Sequence, residues 1–157
     1  MARKNNIALK EKDIVRQLTK NWDIYFPDTK FHRTEYKINN SRVDILSSFK
    51  ADLKDLGVRE ESYLTDIAIF CEVKFNSNMR DLMFEIHKQI KIRDWYINIG
   101  KSFIMLMVVS DDFDLDMAEF LHENNVAMFI YTIPDDDISK LTIKEFDYNQ
   151  LTVDADI

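Results

Sequence analysis

The chain has 157 residues, enough for one domain with a core of its own, and its 46% hydrophobic and 31% charged content excludes a disordered chain. Its longest apolar run, FIMLMVV from Phe103 to Val109, is too short to span a bilayer, and MARKNN at the start has no apolar signal core after it. The expectation is an intracellular, cytoplasmic protein with no membrane partner. The net charge of -7 is unevenly laid down: Lys and Arg stand against Asp and Glu as 11 to 6 in residues 1–50, 8 to 9 in 51–101 and 2 to 13 in 102–157. An anionic ligand would be drawn to the first two thirds, while the acidic last third would keep the molecule soluble or meet a protein partner.

Gly57, Gly100, Pro27 and Pro134 are the only glycines and prolines, so no linker composition divides the chain. Residues 1–157 read as one domain, with a core over about 5–132 and an acidic strand and tail over 133–157. The first element reads as a helix from about Asn6 to Trp22, where Ile7, Ile14, Val15, Leu18 and Trp22 form one apolar stripe, closed by Pro27. FHRTEYKI and RVDILSSF alternate as two strands, the second over Arg42–Phe49, with INNS as the turn of a hairpin. KADLKDLGVREES is a helical turn or loop ending near Gly57, and Leu64–Phe75 is a β-branched and aromatic central strand. Asn78 caps a following helix that carries Leu82, Met83, Ile86 and Ile90 at helical spacing and ends at Gly100. SFIMLMVVS is a buried strand, DLDMAEFLHENN a short helix, VAMFIYTI another strand and LTIKEF an edge strand. This order predicts an α/β fold whose mixed sheet is antiparallel at its start, parallel where a helix intervenes, and flanked by helices.

The central strand raises the chemical question. Alternation points Ile67, Ile69, Cys71, Val73 and Phe75 to one side and Asp66, Ala68, Phe70, Glu72 and Lys74 to the other. A strand buried on both faces tolerates a carboxylate and an ammonium only if they pair, bind a metal or line a cleft. By itself the pair also fits a strand end in solvent. Asp44, between Val43 and Ile45 on the neighbouring strand, can converge with Glu72, and two carboxylates with a backbone carbonyl and waters suit Mg²⁺. Glu11 falls within the apolar stripe of the first helix, either for a reason of this kind or as a helix-edge residue reaching Lys12 or Arg16. Gln89 borders the buried face of the helix after the central strand. It shares a stripe with Arg93 and Tyr96, which fits either a phosphate-contacting surface or an amphipathic boundary. Arg42, near Asp44 on its strand, is a further substrate-binding candidate. Cys71 has no disulfide partner and suits a packed thiol.

In order and motif the chain resembles the PD-(D/E)xK, or restriction-endonuclease-like, nuclease superfamily, including Holliday-junction resolvases and RecB-type nuclease domains. Asp44 in VDIL would be the motif Asp, and Glu72 and Lys74 in EVK the Glu-x-Lys. Glu11 matches the acidic residue of the first helix and Gln89 the glutamine after the core strand, while Arg93 stands where RecB-like members carry tyrosine. Over roughly residues 5–110 the resemblance implies an αβββαβ core, here with an additional C-terminal helix and strand. It implies a metal-dependent deoxyribonuclease in which Asp44, Glu72 and the Val73 carbonyl hold Mg²⁺ or Mn²⁺. Lys74 would orient the attacking water, with Glu11 and Gln89 assisting. DNA is then the expected partner, and a two-fold substrate would make a homodimer natural. The alternative is a catalytically silent nuclease-like fold that binds protein through its acidic last third in a phage or host-defence complex. His32, His87 and His122 lie in separate elements without zinc spacing, and Asp111, Asp112, Asp114 and Asp116 read as an acidic helix start rather than a calcium loop.

Overall fold

The apolar stripe of the first helix is carried by Ile14 and Leu18, one turn apart and fully buried on α1 (Glu11–Lys20). The computed structural model describes residues 9–38, 41–75, 79–98 and 103–151. Helix α1 opens where the Asp13 carboxylate accepts the Lys10 N–H at 2.8 Å, a local closure of the kind that satisfies a helix's first amides. It ends at Asn21, and a separate turn, α2 (Trp22–Tyr25), carries on to Phe26, so the single helix expected up to Trp22 is divided there. The Ile7 end of the expected stripe lies outside the described residues.

The strands β1 (Lys30–Ile38), β2 (Ser41–Asp52) and β3 (Leu64–Val73) follow as an antiparallel meander, and the turn residues Asn39 and Asn40 lie outside the described residues. Strand β2 runs past the expected Phe49 because the loop to β3 is closed locally. The Asp52 carboxylate accepts from the Lys54 and Tyr63 amides and the Ser62 hydroxyl at 3.0, 2.9 and 2.6 Å. Gly57 within that loop has φ +75, a left-handed value that side chains disfavour. Pairing therefore extends from Ile45↔Cys71 to Asp52↔Leu64.

Helix α3 (Met79–Asn98) connects β3 to its parallel neighbour β4 (Phe103–Ser110), the crossover that parallel pairing requires. The proposed Asn78 cap and Gly100 stop lie outside the described residues. Helix α4 (Leu115–Glu123) begins at Asp114, whose carboxylate accepts the Met117 N–H at 2.9 Å, so one residue of the acidic run is a helix cap. Strand β5 (Val126–Thr132) lies parallel to β4, and β6 (Thr142–Glu145) closes the edge antiparallel to β5. One six-stranded mixed sheet results, in the order β1-β2-β3-β4-β5-β6. The segment read as a turn at Pro134–Ser139 forms short 3-10 turns over Pro134–Asp136 and Ile138–Lys140.

Both sheet faces are covered, and the alternation of β3 decides what touches each. Ile69, Cys71 and Val73 join Ile14, Leu18, Trp22 and Val108 in one cluster, whereas Phe70 packs with Val43 and Ile92 in another. Leu82 and Ile86 of α3 meet Met105, Met107 and the buried face of α4. No helix among the described residues is long and apolar enough to cross a membrane.

Leu18→Ala would leave a void against β3, and we expect it to cost about 2–5 kcal/mol of unfolding free energy. Ile24→Ala, at a side chain 77% exposed, should stay within about 0.5 kcal/mol. Urea titration of both variants measures the contrast, and equal losses would contradict this account of the core.

Candidate active site

The antiparallel ladder between β2 and β3 stops at Ile45↔Cys71, although β3 continues. Successive strand amides point to opposite sides. The Lys74 N–H donates to the Val108 carbonyl of β4 at 2.9 Å, so those of Val73 and Phe75 face the gap left by β2. Both are met by carboxylates. Asp44 Oδ2 accepts the Val73 N–H at 2.8 Å, and Glu11 Oε2 accepts that of Phe75 at 3.2 Å. Two acidic side chains from different elements therefore continue the ladder in place of β2's backbone. The Val73 carbonyl, on the same side as its N–H, faces the same gap.

On the α3 face of the sheet Glu72 is almost completely buried. Its carboxyl is pushed up to about 9, first by burial and then by the charges of Asp44 and Glu85, against the lowering effect of Lys88. Asp44, held on the next residue's amide, stands beside the Glu72 carboxyl and favours its neutral form. Lys88 Nζ stands 3.6 Å from Glu72 Oε1, and that oxygen accepts no hydrogen bond from the described residues.

Glu85 bridges two lysines: Oε1 is 3.0 Å from Lys74 Nζ and Oε2 is 2.7 Å from Lys88 Nζ. Burial would raise the Glu85 carboxyl, but the Lys88 and Lys74 ammonium groups set against it outweigh that and hold it below its ordinary range. Burial works against the Lys74 ammonium, yet Glu85, with Glu11 and Glu72 beyond it, keeps its pKa above the usual value. Glu11 is raised chiefly by burial. The carboxyl groups of Glu11, Asp44, Glu72 and Glu85 thus gather about two ammonium groups, Lys74 and Lys88: with Glu72 neutral the cluster lacks one positive charge, and with Glu72 ionised it lacks two.

That deficit, and a buried carboxylate oxygen without a donor, fit a hard divalent cation. Among the described residues no group of three or more His, Cys, Asp or Glu side chains is arranged to hold a metal. A cation placed here would have to draw on two carboxylates, the Val73 carbonyl and water, a sparse protein donor set of the kind Mg²⁺ tolerates.

Asp44, Glu72, Lys74 and Glu11 are thus brought together. Gln89 is buried one turn after Glu85, and its Nε2 lacks a hydrogen-bond partner among the described residues. Arg93 is not brought to this group: its Nη2 donates to the Asn124 carbonyl at 2.6 Å and lies 3.1 Å from Met105 Sδ, beside the α4–β5 turn. The Tyr96 side chain lies outside the described residues. Arg42 turns its guanidinium outward, 3.7 Å from Glu35, while its carbonyl accepts from Lys88 at 3.0 Å. Asp66, on the same face of β3, sits at the far end of the strand, exposed and 3.5 Å from Lys50.

Glu85 and Lys88 escaped the sequence reading. Their only signal was an acid and a base three residues apart on a helix, which is also what a solvated face presents. Met83 and Phe84 on the same helix are exposed, Phe84 by 79%, so apolarity did not mark which side of α3 is buried.

Because the Glu72 carboxyl is raised from 4.5 to about 9, its neutral form is favoured by folding. The stability this contributes is complete below pH 4.5 and disappears as pH rises to about 9. In chelator, the wild type should lose stability relative to Glu72→Gln across that window, by several kcal/mol in all. Denaturation at several pH values measures it, and parallel pH curves for the two proteins would refute the assignment.

No family model and no curated protein matches the chain. Solved structures do. The EndoMS–dsDNA2 complex superposes with a TM-score of 0.53 at 12% identity, over 78% of this chain and 45% of that one, so this chain spans under half the EndoMS length. An XisH family protein from Nostoc punctiforme PCC 73102 superposes with a TM-score of 0.50 at 14% identity, over 87% of this chain and 98% of that one. At such identities the likeness concerns architecture alone: this chain is an α/β protein whose six-stranded mixed sheet and flanking helices resemble restriction-endonuclease-like structures.

Proposed function

We propose that the protein is a metal-dependent nuclease that hydrolyses phosphodiester bonds in DNA. The observation that carries this reading is that Asp44, bonded to the Val73 amide, converges on Glu72 where β2 parts from β3, with Lys74 two residues farther along the same face. The likeness to a protein seen with double-stranded DNA supports the substrate class.

Asp44, Glu72 and the Val73 carbonyl would hold Mg²⁺ or Mn²⁺, which when bound polarises a phosphoryl oxygen and acidifies a water. Lys74, fixed by Glu85 at 3.0 Å, presents a charged donor to that water or to a non-bridging phosphate oxygen. Its positive charge offsets the negative charge that grows as the phosphorus–oxygen bond to the leaving group breaks. Glu11 holds the backbone of Phe75 and so fixes the chain directly after Lys74. Arg80, Phe84 and Lys91 lie exposed on the outward side of α3, next to the turn bearing Glu85 and Lys88, and supply cations and a stacking surface for a nucleic-acid strand.

The reading of a silent, protein-binding fold draws on the exposed acidic turn of Asp135, Asp136 and Asp137. Incubation with plasmid, linear and branched DNA, with and without Mg²⁺ or Mn²⁺, separates the two. Metal-dependent cleavage is expected, reduced at least about 100-fold in Lys74→Ala and Glu72→Ala. Glu85→Gln should reduce it by about 10–100-fold by loosening the hold on Lys74. Undiminished cleavage in the Lys74 and Glu72 variants would sink the assignment. In a separate measurement, replacing Arg80 and Lys91 by Ala should weaken DNA binding and lower the slope of log affinity on log salt by about 2, read by fluorescence anisotropy. An unchanged slope would remove α3 from the DNA path.

A further inference from the structure

Lys88 meets three oxygens, each from a different strand or helix. Its Nζ is 2.7 Å from Glu85 Oε2 on α3, donates to the Arg42 carbonyl of β2 at 3.0 Å, and stands 3.6 Å from Glu72 Oε1 on β3. An ammonium ringed by carboxylate and carbonyl oxygens occupies the kind of setting that also holds hard metal cations. The two carboxylates are nearly enclosed, with side-chain exposures of 13% for Glu85 and 3% for Glu72, so water screens the arrangement little. The longest of the three approaches is the one to Glu72. Lys88 is therefore anchored by Glu85 and Arg42 and directed at a carboxylate whose other neighbour is Asp44.

From this geometry we infer that Lys88 is an internal counter-cation that competes with a divalent metal for Glu72, so that metal affinity is set by α3 as well as by the ligands on β2 and β3. The inference rests on the metal-site reading given above. Glu72 Oε1 cannot be shared at full strength between an ammonium and a dication, because like charges brought to one carboxylate repel. A metal drawing on Glu72 must push Lys88 back onto Glu85 and the Arg42 carbonyl. Glu85 is then a positioning residue for both lysines, giving one oxygen to each.

Isothermal calorimetry with Mn²⁺ alone, at fixed pH and ionic strength, tests this on the whole chain. Lys88→Met, which keeps the length of the side chain without its charge, should bind Mn²⁺ at least about threefold more tightly than the wild type. Lys88→Arg, which keeps the charge, should stay near the wild-type affinity, and thermal melting in chelator verifies that each variant is folded. Lys88→Gln carries the same test if the methionine variant does not fold. Equal or weaker binding by the neutral variants, with binding still abolished in Asp44→Asn, would overturn the role of Lys88 and leave the metal site standing. Binding insensitive to Asp44→Asn, or no binding by any of the proteins, would overturn the metal-site reading and this inference together.

Discussion

The constraint on which the rest depends is that β2 parts from β3 before either strand ends. After Ile45↔Cys71, β2 no longer supplies backbone acceptors, yet β3 runs on into the interior with amides that must be bonded. Carboxylates take over that task, Asp44 at Val73 and Glu11 at Phe75. A backbone requirement thus brings acidic groups to the carboxyl end of a central strand, where open α/β sheets hold their ligands.

The same geometry explains the unusual electrostatics. Burial alone already disfavours a charge on Glu72, and Asp44, tied to the Val73 amide, adds a like charge beside it. The cluster is therefore short of positive charge by construction, and the Lys74–Glu85–Lys88 chain of alternating charges, its first member just past the end of β3 and the others from α3, answers only part of it. Such a chain is stiff, because moving any member strips a buried partner of its counter-ion.

Much of this was legible in the sequence, for identifiable reasons. Strand period has no ambiguity, so the separation of Cys71 and Val73 from Glu72 and Lys74 could be made from spacing alone, and the core clusters divide along that line. Helix stripes are less decisive. The spacing of Gln89, Arg93 and Tyr96 was read as one surface, but α3 buries residues on both the α4 side and the β2 side, as Leu82 and Ile92 show, and Arg93 is drawn to the carbonyl of Asn124. The hairpin arm beyond Phe49 depends on the Asp52 carboxylate closing an eleven-residue loop through Tyr63, a contact that strand propensity does not encode.

The thiol of Cys71 lies directly behind this cluster, fully buried, with its ionisation pushed well above the usual range by burial and by the nearby carboxylates. A sulfur that neither meets solvent nor forms thiolate is inert to alkylating reagents in the native fold. The chain is therefore a ready host for single-site labelling. A cysteine introduced at an exposed position such as Ile24 or Phe84 would react alone, so a fluorophore or spin label can report on either side of the sheet without first removing the native residue.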